Sequence, residues 1–550
     1  MGTQPERGSA VASASGRHHA VVVGAGMGGL ACALSLAQRG LQVTVVDAAD
    51  QPGGKMRPLA VGSAMIDSGP TVFTMRWVFE QLFAECGASF SERVACDPLG
   101  ILARHGWRDQ ASRLDLHASP QDSQSAIAAF SSAAEARRFG AFCAEAKRLY
   151  RHLEGPYIRS ERPQAMSLMR DLGPGGLLAL TGLGPFRSLW HCLSRRFDDP
   201  RLQQLFARYA TYCGASPWQA PATLMLIAQV EMDGVWSVRG GMARLAQAVA
   251  DLASERGVAL RYGAPVSKIL VEGGRARGVR LEDGQTLRAD TVVFNGDANA
   301  LATGLLGPQV KASVPPRRRA ARSLSAMTWS VLAPTSGWPL TRHNVFFDRH
   351  YRSEFDDIFG RDQFPRQPTV YVCAQDRGDD GLHTQRQTPE RSGRDHPAER
   401  LLVLVNAPAC GDESTTPSPT REQEMQSCQA KTFELLQSCG LEVHRQEGLE
   451  RRTTPWAFEA RYPATGGSLY GSATHGWLSS FRRGSSQTAI PGLFLAGGSV
   501  HPGPGVPMAT MSGRLAAATV MAHLDSTSRS GRVVISGGIS TRSAMTAVTP

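Results

Sequence analysis

Residues 21–29 read Val21-Val22-Val23-Gly24-Ala25-Gly26-Met27-Gly28-Gly29, a β-branched run that feeds directly into a glycine-rich turn. The segment after it, Leu30 to Arg39, has a helical pattern, and a second apolar run, Leu41 to Val46, stops at Asp47. Strand, turn, helix, strand and acid follow one another in the order a dinucleotide site needs. Gly24 permits the tight turn, Gly26 lets the backbone approach a pyrophosphate, and Gly29 lets helix and strand pack closely. The helix start offers free N–H groups and a partial positive charge to phosphates. Asp47 falls 21 residues after Gly26, where a carboxylate accepts hydrogen bonds from ribose hydroxyls. The plain alternative, a glycine turn with no nucleotide, leaves the acid and the flanks unexplained.

A chain of 550 residues exceeds one hydrophobic core, and roughly three to four domain-sized units are expected. Apolar residues make up 42% and charged residues 19%, a globular composition. The net charge of +11 suits a basic surface facing anionic lipid, with solubility alone as the equal alternative. No arginine-rich helix, zinc spacing or aromatic-studded RNA motif is present, so nucleic acid is not expected as a partner. Ten cysteines contain no C-x-x-C pair, which argues against a metal site or disulfide framework and for a reducing cytoplasm. Met1 to His19 has no apolar core and reads as a loose leader. No stretch offers the roughly eighteen uninterrupted apolar residues of a spanning helix. Localisation is therefore expected to be cytoplasmic, with peripheral contact to the cytoplasmic or intracytoplasmic membrane.

A second glycine-rich stretch lies near the other end: Gly497-Gly498-Ser499-Val500-His501-Pro502-Gly503-Pro504-Gly505-Val506-Pro507. Ordering such a stretch costs conformational entropy while burying little, so a purely structural role is a poor account of it. It precedes a helical pattern, Met508 to Leu524, whose start is positively polarised. Reduced isoalloxazine accumulates negative charge near N1 and O2, and helix-end donors stabilise that form. Together the two regions span FAD, the first holding ADP and the last the flavin; NAD would not need the second. Between them, strand patterns occur at 258–271, 275–282, 286–296, 325–333 and 401–406, helices at Ala243–Ser254 and Arg421–Cys439, and mostly helical sequence from Ala118 to Met232. The expected division is a leader (1–18), three nucleotide-binding pieces (19–100, 235–300, 485–525), a helical region (101–234), a substrate domain (301–484, with a mobile loop at 376–400) and a loose tail (526–550).

On these motifs the chain resembles the FAD-dependent carotenoid desaturases of the bacterial phytoene-desaturase type. The resemblance is carried by the first glycine turn, Gly53-Gly54-Lys55, Asp67-Ser68-Gly69-Pro70-Thr71, Gly240-Gly241-Met242, Asn295-Gly296-Asp297, Gly466-Gly467-Ser468-Leu469-Tyr470-Gly471 and the 497–505 stretch. It covers about residue 20 to 524 with the order preserved. Asp47 stands where many members have Glu, and Lys55 where many have Arg. Trp236 to Met242, Thr454-Pro455-Trp456 and His501 to Pro507 look most like the 1-hydroxycarotenoid 3,4-desaturases (methoxyneurosporene desaturases) of purple photosynthetic bacteria. The resemblance implies an α/β (α+β overall), glutathione-reductase-like FAD-binding Rossmann fold, with a discontinuous substrate domain and a helical membrane-associating region. For FAD contact it implies Gly24, Ala25, Gly26, Met27, Gly28 and Gly29; Asp47 and Ala48; Gly54, Lys55, Met56 and Arg57; Gly69, Pro70 and Thr71; Val266; Gly498; and Val506, Pro507 and Met508.

It further implies an apolar carotenoid substrate that loses two hydrogens from a C3–C4 bond beside a polyene. Hydride leaves C4 for flavin N5, and a weak base then takes a proton. The electron acceptor that follows is a quinone or oxygen. His501 is the nearest titratable candidate for catalysis, with a purely structural hydrogen bond as the blander role. Arg57 is a candidate for neutralising the pyrophosphate. Leu177 to Phe186 with Leu189 and Trp190 is either a lipid-dipping segment or an ordinary helix pair. Arg317-Arg318-Arg319 reads as a solvated loop. Three rivals remain: a phytoene- or neurosporene-type desaturase, a flavin amine oxidase, and a prenyl-binding protein of the GDP-dissociation-inhibitor kind.

Overall fold

Val21, Val22 and Val23 are the last three residues of a strand, β1 (His19–Val23), and alternate residues along it point to two different cores. The computed structural model describes residues 18–161, 187–378, 397–477 and 479–530. The leader up to residue 17, the segment Leu177 to Phe186, most of the 376–400 loop and the tail from residue 531 lie outside the described residues. With β2 (Gln42–Val46), β3 (Ala259–Arg261), β4 (Thr291–Phe294) and β5 (Leu493–Leu495), β1 builds a parallel sheet in the order β5-β4-β1-β2-β3. Ala20 and Val22 pack among helices on one face, and Val21 and Val23 meet Ile269, Val279 and Leu281 on the other. Parallel strands need this double cover, because both faces are apolar.

The helical face is made by α1 (Met27–Gln38), α2 (Met242–Glu255) and α3 (Val506–Ser530). The opposite face carries an antiparallel meander, Val266–Glu272, Arg275–Leu281 and Thr286–Arg288. The run expected as one strand at 286–296 thus divides between two sheets. α3 also differs from the sequence reading: it starts at Val506, with Pro507 in its first turn, and continues to Ser530. Proline suits a first helical turn because that turn leaves N–H groups unused. At the far end, the Ser526 and Thr527 hydroxyls donate to the His523 carbonyl.

A second sheet has seven strands in the order Glu450–Thr453, Ser325–Ala333, Glu399–Ala407, Val370–Ala374, His343–Phe347, Ile101–Trp107 and Arg113–His117. Its register splits the side chains cleanly. Phe346, Val370, Val372, Leu401 and Val403 share one core with Met425, Cys428 and Leu435 of the helix Pro419–Ser438. Val345, Phe347, Tyr371, Cys373 and Leu402 face a helical layer instead. That layer has capped helices: Ser119, Ser132 and Asp199 side chains accept from N–H groups in the first turns of Pro120–Phe130, Ala133–Leu153 and Pro200–Ala207. Among the described residues no helix is long and apolar enough to cross a membrane. The roots of the 376–400 loop are pinned, with Arg377 paired to Glu399 at 2.6 Å and Arg400 to Asp376 at 2.5 Å.

Candidate cofactor and substrate site

The opening turn and the near-terminal glycine stretch meet at the start of α1. A Cβ built on Gly28 would lie 2.8 Å from the Cα of Gly497 and 2.6 Å from Oδ1 of Asn295. On Gly513 of α3 it would overlap the carbonyl oxygen of Gly28, so α1 and α3 cross backbone against backbone. Asn295, at the end of β4, donates from Nδ2 to the Gly24 carbonyl at 3.2 Å. The Gly497 amide donates to Ser512 Oγ at 3.1 Å. Gly24 itself has φ +104°, which a side chain would strain.

The start of α1 is built to receive an anionic group. Met27, Gly28 and Gly29 are buried, Gly26 is the N-cap, and no side chain caps it. A buried helix end without a cap leaves N–H donors unmatched. The contrast is α2, where Asp67 Oδ2 accepts from the Met242 amide at 2.7 Å. There Gly241 has φ +90°, and a Cβ on it would come within 2.8 Å of the Asp67 carboxyl carbon. The Asp67 motif and the Gly240-Gly241-Met242 motif are therefore two halves of one helix cap. Burial raises the Asp67 carboxyl above its ordinary value.

Asp47 closes β2 beside this turn. Its Oδ2 accepts from Ala25 at 2.5 Å and its Oδ1 from Ala49 at 2.7 Å, which orients the carboxylate and leaves a lone pair on each oxygen. The Ala264 amide reaches the Asp47 carbonyl at 2.8 Å, which brings the strand beginning at Val266 to the same end. Gly53 donates to the Ala25 carbonyl at 2.9 Å, and Tyr462 donates its hydroxyl to the Gly54 carbonyl at 2.8 Å. Met56 and Arg57 are buried, and desolvation lowers the Arg57 guanidinium. Lys55 Nζ donates to the Leu469 carbonyl at 2.5 Å and stands 5.4 Å from the Tyr462 ring centroid. Lys55 keeps accessible surface, and desolvation by the surrounding chain lowers its ammonium to about 8. Ala48 follows Asp47 on the same turn.

Gly69, Pro70 and Thr71 join Val506, Pro507 and Met508 in the wall of a cavity of about 540 Å³. Gly498 sits just behind, its carbonyl accepting from Arg483 Nη1 at 3.3 Å. The rest of the wall is mostly apolar, with Leu153, Tyr157, Ile227, Leu402 and Leu404 among its residues. Its polar residues include Arg483, Thr369, Asn406 and Thr474 and one connected cluster. Glu231 accepts from Tyr209 at 2.9 Å and Tyr212 at 2.8 Å. Arg208 Nη1 donates to the Tyr212 hydroxyl at 3.1 Å. The Tyr371 hydroxyl bonds Thr71 Oγ1 at 2.6 Å and His343 Nδ1 at 2.7 Å. Burial lowers His343 to about 3, so it is neutral.

His501 does not line this cavity. Its ring packs edge-on against Tyr157 at 5.1 Å, and burial lowers it to about 4. Arg317 is not in a solvated loop: it pairs with Asp297 at 3.0 Å, each side chain 9% exposed, because the 466–472 segment folds over it and Ser472 accepts from its Nε. Arg319 bridges Asp362 and Glu413, both at 2.5 Å. Leu189 is buried and Trp190 stacks on Trp218 at 4.5 Å. Arg208, Glu231 and Tyr371 were not singled out from sequence, and Asn295 only as part of a motif. Asn295 was visible as a strand end in a quoted motif, whereas a lone arginine in a helical stretch gives no signal.

A family model described as flavin containing amine oxidoreductase matches residues 27–521. The chain is 60% identical over 535 residues to the hydroxyneurosporene desaturase of Rubrivivax gelatinosus, covering 96% of this chain and 98% of that one. It is 44% identical over 512 residues to the hydroxyneurosporene desaturase of Cereibacter sphaeroides, covering 92% and 98%. A zeta-carotene-forming phytoene desaturase of Myxococcus xanthus is 33% identical over 536 residues, covering 95% and 97%. Among solved structures, an oxidoreductase from Methanosarcina mazei aligns with a TM-score of 0.56 at 16% identity, over 92% of this chain and 100% of that one, which shows a shared mixed α/β fold. The uncapped start of α1 and the glycine contacts around it fit a dinucleotide cofactor. The chain belongs to the flavin-containing amine oxidoreductase family, as a carotenoid desaturase whose cofactor is FAD.

Proposed function

We propose that the protein introduces the C3–C4 double bond into acyclic 1-hydroxycarotenoids. The observation that carries this reading is the join between the two halves of the site: Thr71, Pro507 and Met508 belong both to the predicted flavin contacts and to the wall of the apolar cavity. A polyene held there lies against the reactive end of the cofactor. The relatives named hydroxyneurosporene desaturase support the substrate class.

Bound FAD supplies a two-electron acceptor for hydride leaving C4. The chain's own residues bind and align. In our reading, the α1 amides at Met27 to Gly29 take the pyrophosphate, Asp47 takes the ribose, and Lys55 and Arg57 offset phosphate charge. The strand at Val266 borders adenine, and the start of α3 at Val506 to Met508 borders the flavin. Proximity then does most of the protein's work, because reacting atoms held in place need little further help. The pieces 19–100, 235–300 and 485–525 would form the cofactor-binding unit, and 101–234 with 301–484 the substrate unit. Trp477 lines the cavity and is 44% exposed, so an indole stands at its mouth, as expected for entry from a lipid surface.

Expression with phytoene, neurosporene or 1-hydroxyneurosporene as the sole pigment tests the proposal. Product spectra should lengthen by one conjugated double bond with the hydroxylated pigment. Desaturation of phytoene alone would replace this reading by the phytoene-type one. Co-sedimentation with anionic vesicles tests the lipid contact.

A further inference from the structure

We infer that the Arg208 guanidinium is the group that receives the C1 hydroxyl of the substrate and so sets its specificity; the inference rests on the 3,4-desaturase reading above. The substrate's own geometry restricts where such a group can be. C4 and the hydroxyl oxygen are separated by four bonds of about 1.5 Å, so they lie at most about 5 Å apart. A hydrogen bond adds roughly 3 Å. The donor must therefore stand close to the flavin end of the cavity, within about 8 Å of the carbon that loses hydride, and not at the mouth.

A short chain of contacts links Arg208 to that end of the cavity. Thr71, at the flavin end, shares a 2.6 Å hydrogen bond with Tyr371. The Arg208 Cζ lies 5.3 Å from the Tyr371 ring centroid and 5.3 Å from that of Tyr212. Both Thr71 and Arg208 line the apolar cavity.

Two of the neighbouring hydroxyls are already engaged, while that of Tyr351 is buried without a partner among the described residues. Tyr212 donates to Glu231, and the Tyr371 hydroxyl lies between Thr71 and His343. Arg208 is different. Among the described residues its one side-chain hydrogen bond is from Nη1 to Tyr212, and no carboxylate lies within ion-pair distance of it. A guanidinium carries several N–H donors and no acceptor. Glu231 balances its charge across Tyr212, leaving the remaining donors for an oxygen that enters with the substrate. A hydroxyl oxygen is such an acceptor. Neurosporene, which has none, would cover these donors with a methyl-bearing end and leave them unpaired, which is the strongest way for a site to reject an analogue.

The test uses the FAD-loaded enzyme, with 1-hydroxyneurosporene and neurosporene delivered in detergent micelles. Binding is read from the absorbance shift of the bound pigment and turnover from product spectra. The wild type should bind and turn over the hydroxylated pigment in preference. Arg208→Met should reduce that preference on the order of thirtyfold, the worth of one charge-assisted hydrogen bond, by weakening the hydroxylated pigment alone. The double variant Arg208→Met with Glu231→Gln removes both charges, and it should show the same loss should the single variant fail to hold FAD. In the unaltered enzyme, the C1 methyl ether retains an acceptor oxygen and should bind more like the alcohol than like neurosporene. A preference kept within threefold in either variant, or an ether that binds like neurosporene, overturns the assignment to Arg208. A wild type with no preference removes the 3,4-desaturase reading itself, and this inference with it.

Discussion

The carboxamide of Asn295 lies where a side chain on Gly28 would have to go: a Cβ there would come within 2.6 Å of Asn295 Oδ1 and 2.8 Å of the Gly497 amide nitrogen. One asparagine thus fixes the spacing between the opening turn, β4 and the stretch that leads into α3. The glycines at 26, 28, 29 and 497 are all within reach of it.

Gly28→Ala should therefore separate the two halves of the cofactor site. Overpacking of a close backbone contact costs about 1–3 kcal/mol, and here the strain falls on the ligand site. The expected outcome is a lower melting temperature together with a fall in flavin absorbance per protein. Gly40→Ala is a fitting control: nothing stands near a Cβ there, though its φ of +90° adds local strain. A Gly28→Ala protein that keeps a full complement of FAD would contradict the close approach.

Glu354 gives a pH signature unrelated to catalysis. It is fully buried, bonded by Thr369 and Asn406, and burial raises its carboxyl from 4.5 to about 7. A raised acid binds its proton more tightly in the folded state than in the unfolded one. Its contribution to stability is thus complete below about pH 4.5 and lost as pH rises through about 7. Glu354→Gln cannot ionise, so it should gain stability relative to wild type between those values, on the order of 2 kcal/mol at neutral pH. Urea midpoints of both proteins across this range would show it; parallel curves would contradict it.

The parts of this molecule that were legible in the sequence are those where backbone chemistry is local. Gly24, Gly26 and Asp47 announce a turn, a close approach and an acid at fixed spacing, and the fold brings the three together where β1, β2 and α1 meet. The 286–296 run was not legible as two strands, because β-branched residues on either side of Arg288 read alike whichever sheet receives them. Arg317 was misread because three consecutive arginines look solvated until Asp297 and Ser472 fold over the first. The cluster of Arg208, Glu231 and Tyr371 comes together around Thr71 from separate segments, and apart from the motif that holds Thr71 nothing local marks it.

His501 offers a direct check on where proton transfer occurs. It is buried against Tyr157, outside the cavity wall, and already lowered to about 4. A group neutral throughout the working range gives no inflection near the usual imidazole value. His501→Gln should therefore keep turnover within about threefold and leave the pH–rate profile unchanged, with any loss appearing in stability. A loss of about a hundredfold with FAD still bound would restore His501 as the catalytic candidate.

Lys55 should make cofactor affinity itself depend on pH. Its ammonium donates to the Leu469 carbonyl and is lowered to about 8 by the chain around it. Below that value it is a cation beside the predicted site of an anionic cofactor; above it the charge is lost. Binding an anion favours the protonated form, so affinity for FAD should be highest below about pH 8 and fall as pH rises through it. Lys55→Met should bind FAD more weakly at neutral pH and lose that dependence, since no charge remains to titrate. Lys55→Arg should bind at least as well as wild type and show no fall in the same window, because a guanidinium stays charged. Equilibrium titration of apoprotein with FAD at several pH values reads all three. Identical pH dependence in wild type and Lys55→Met would place Lys55 outside the cofactor site.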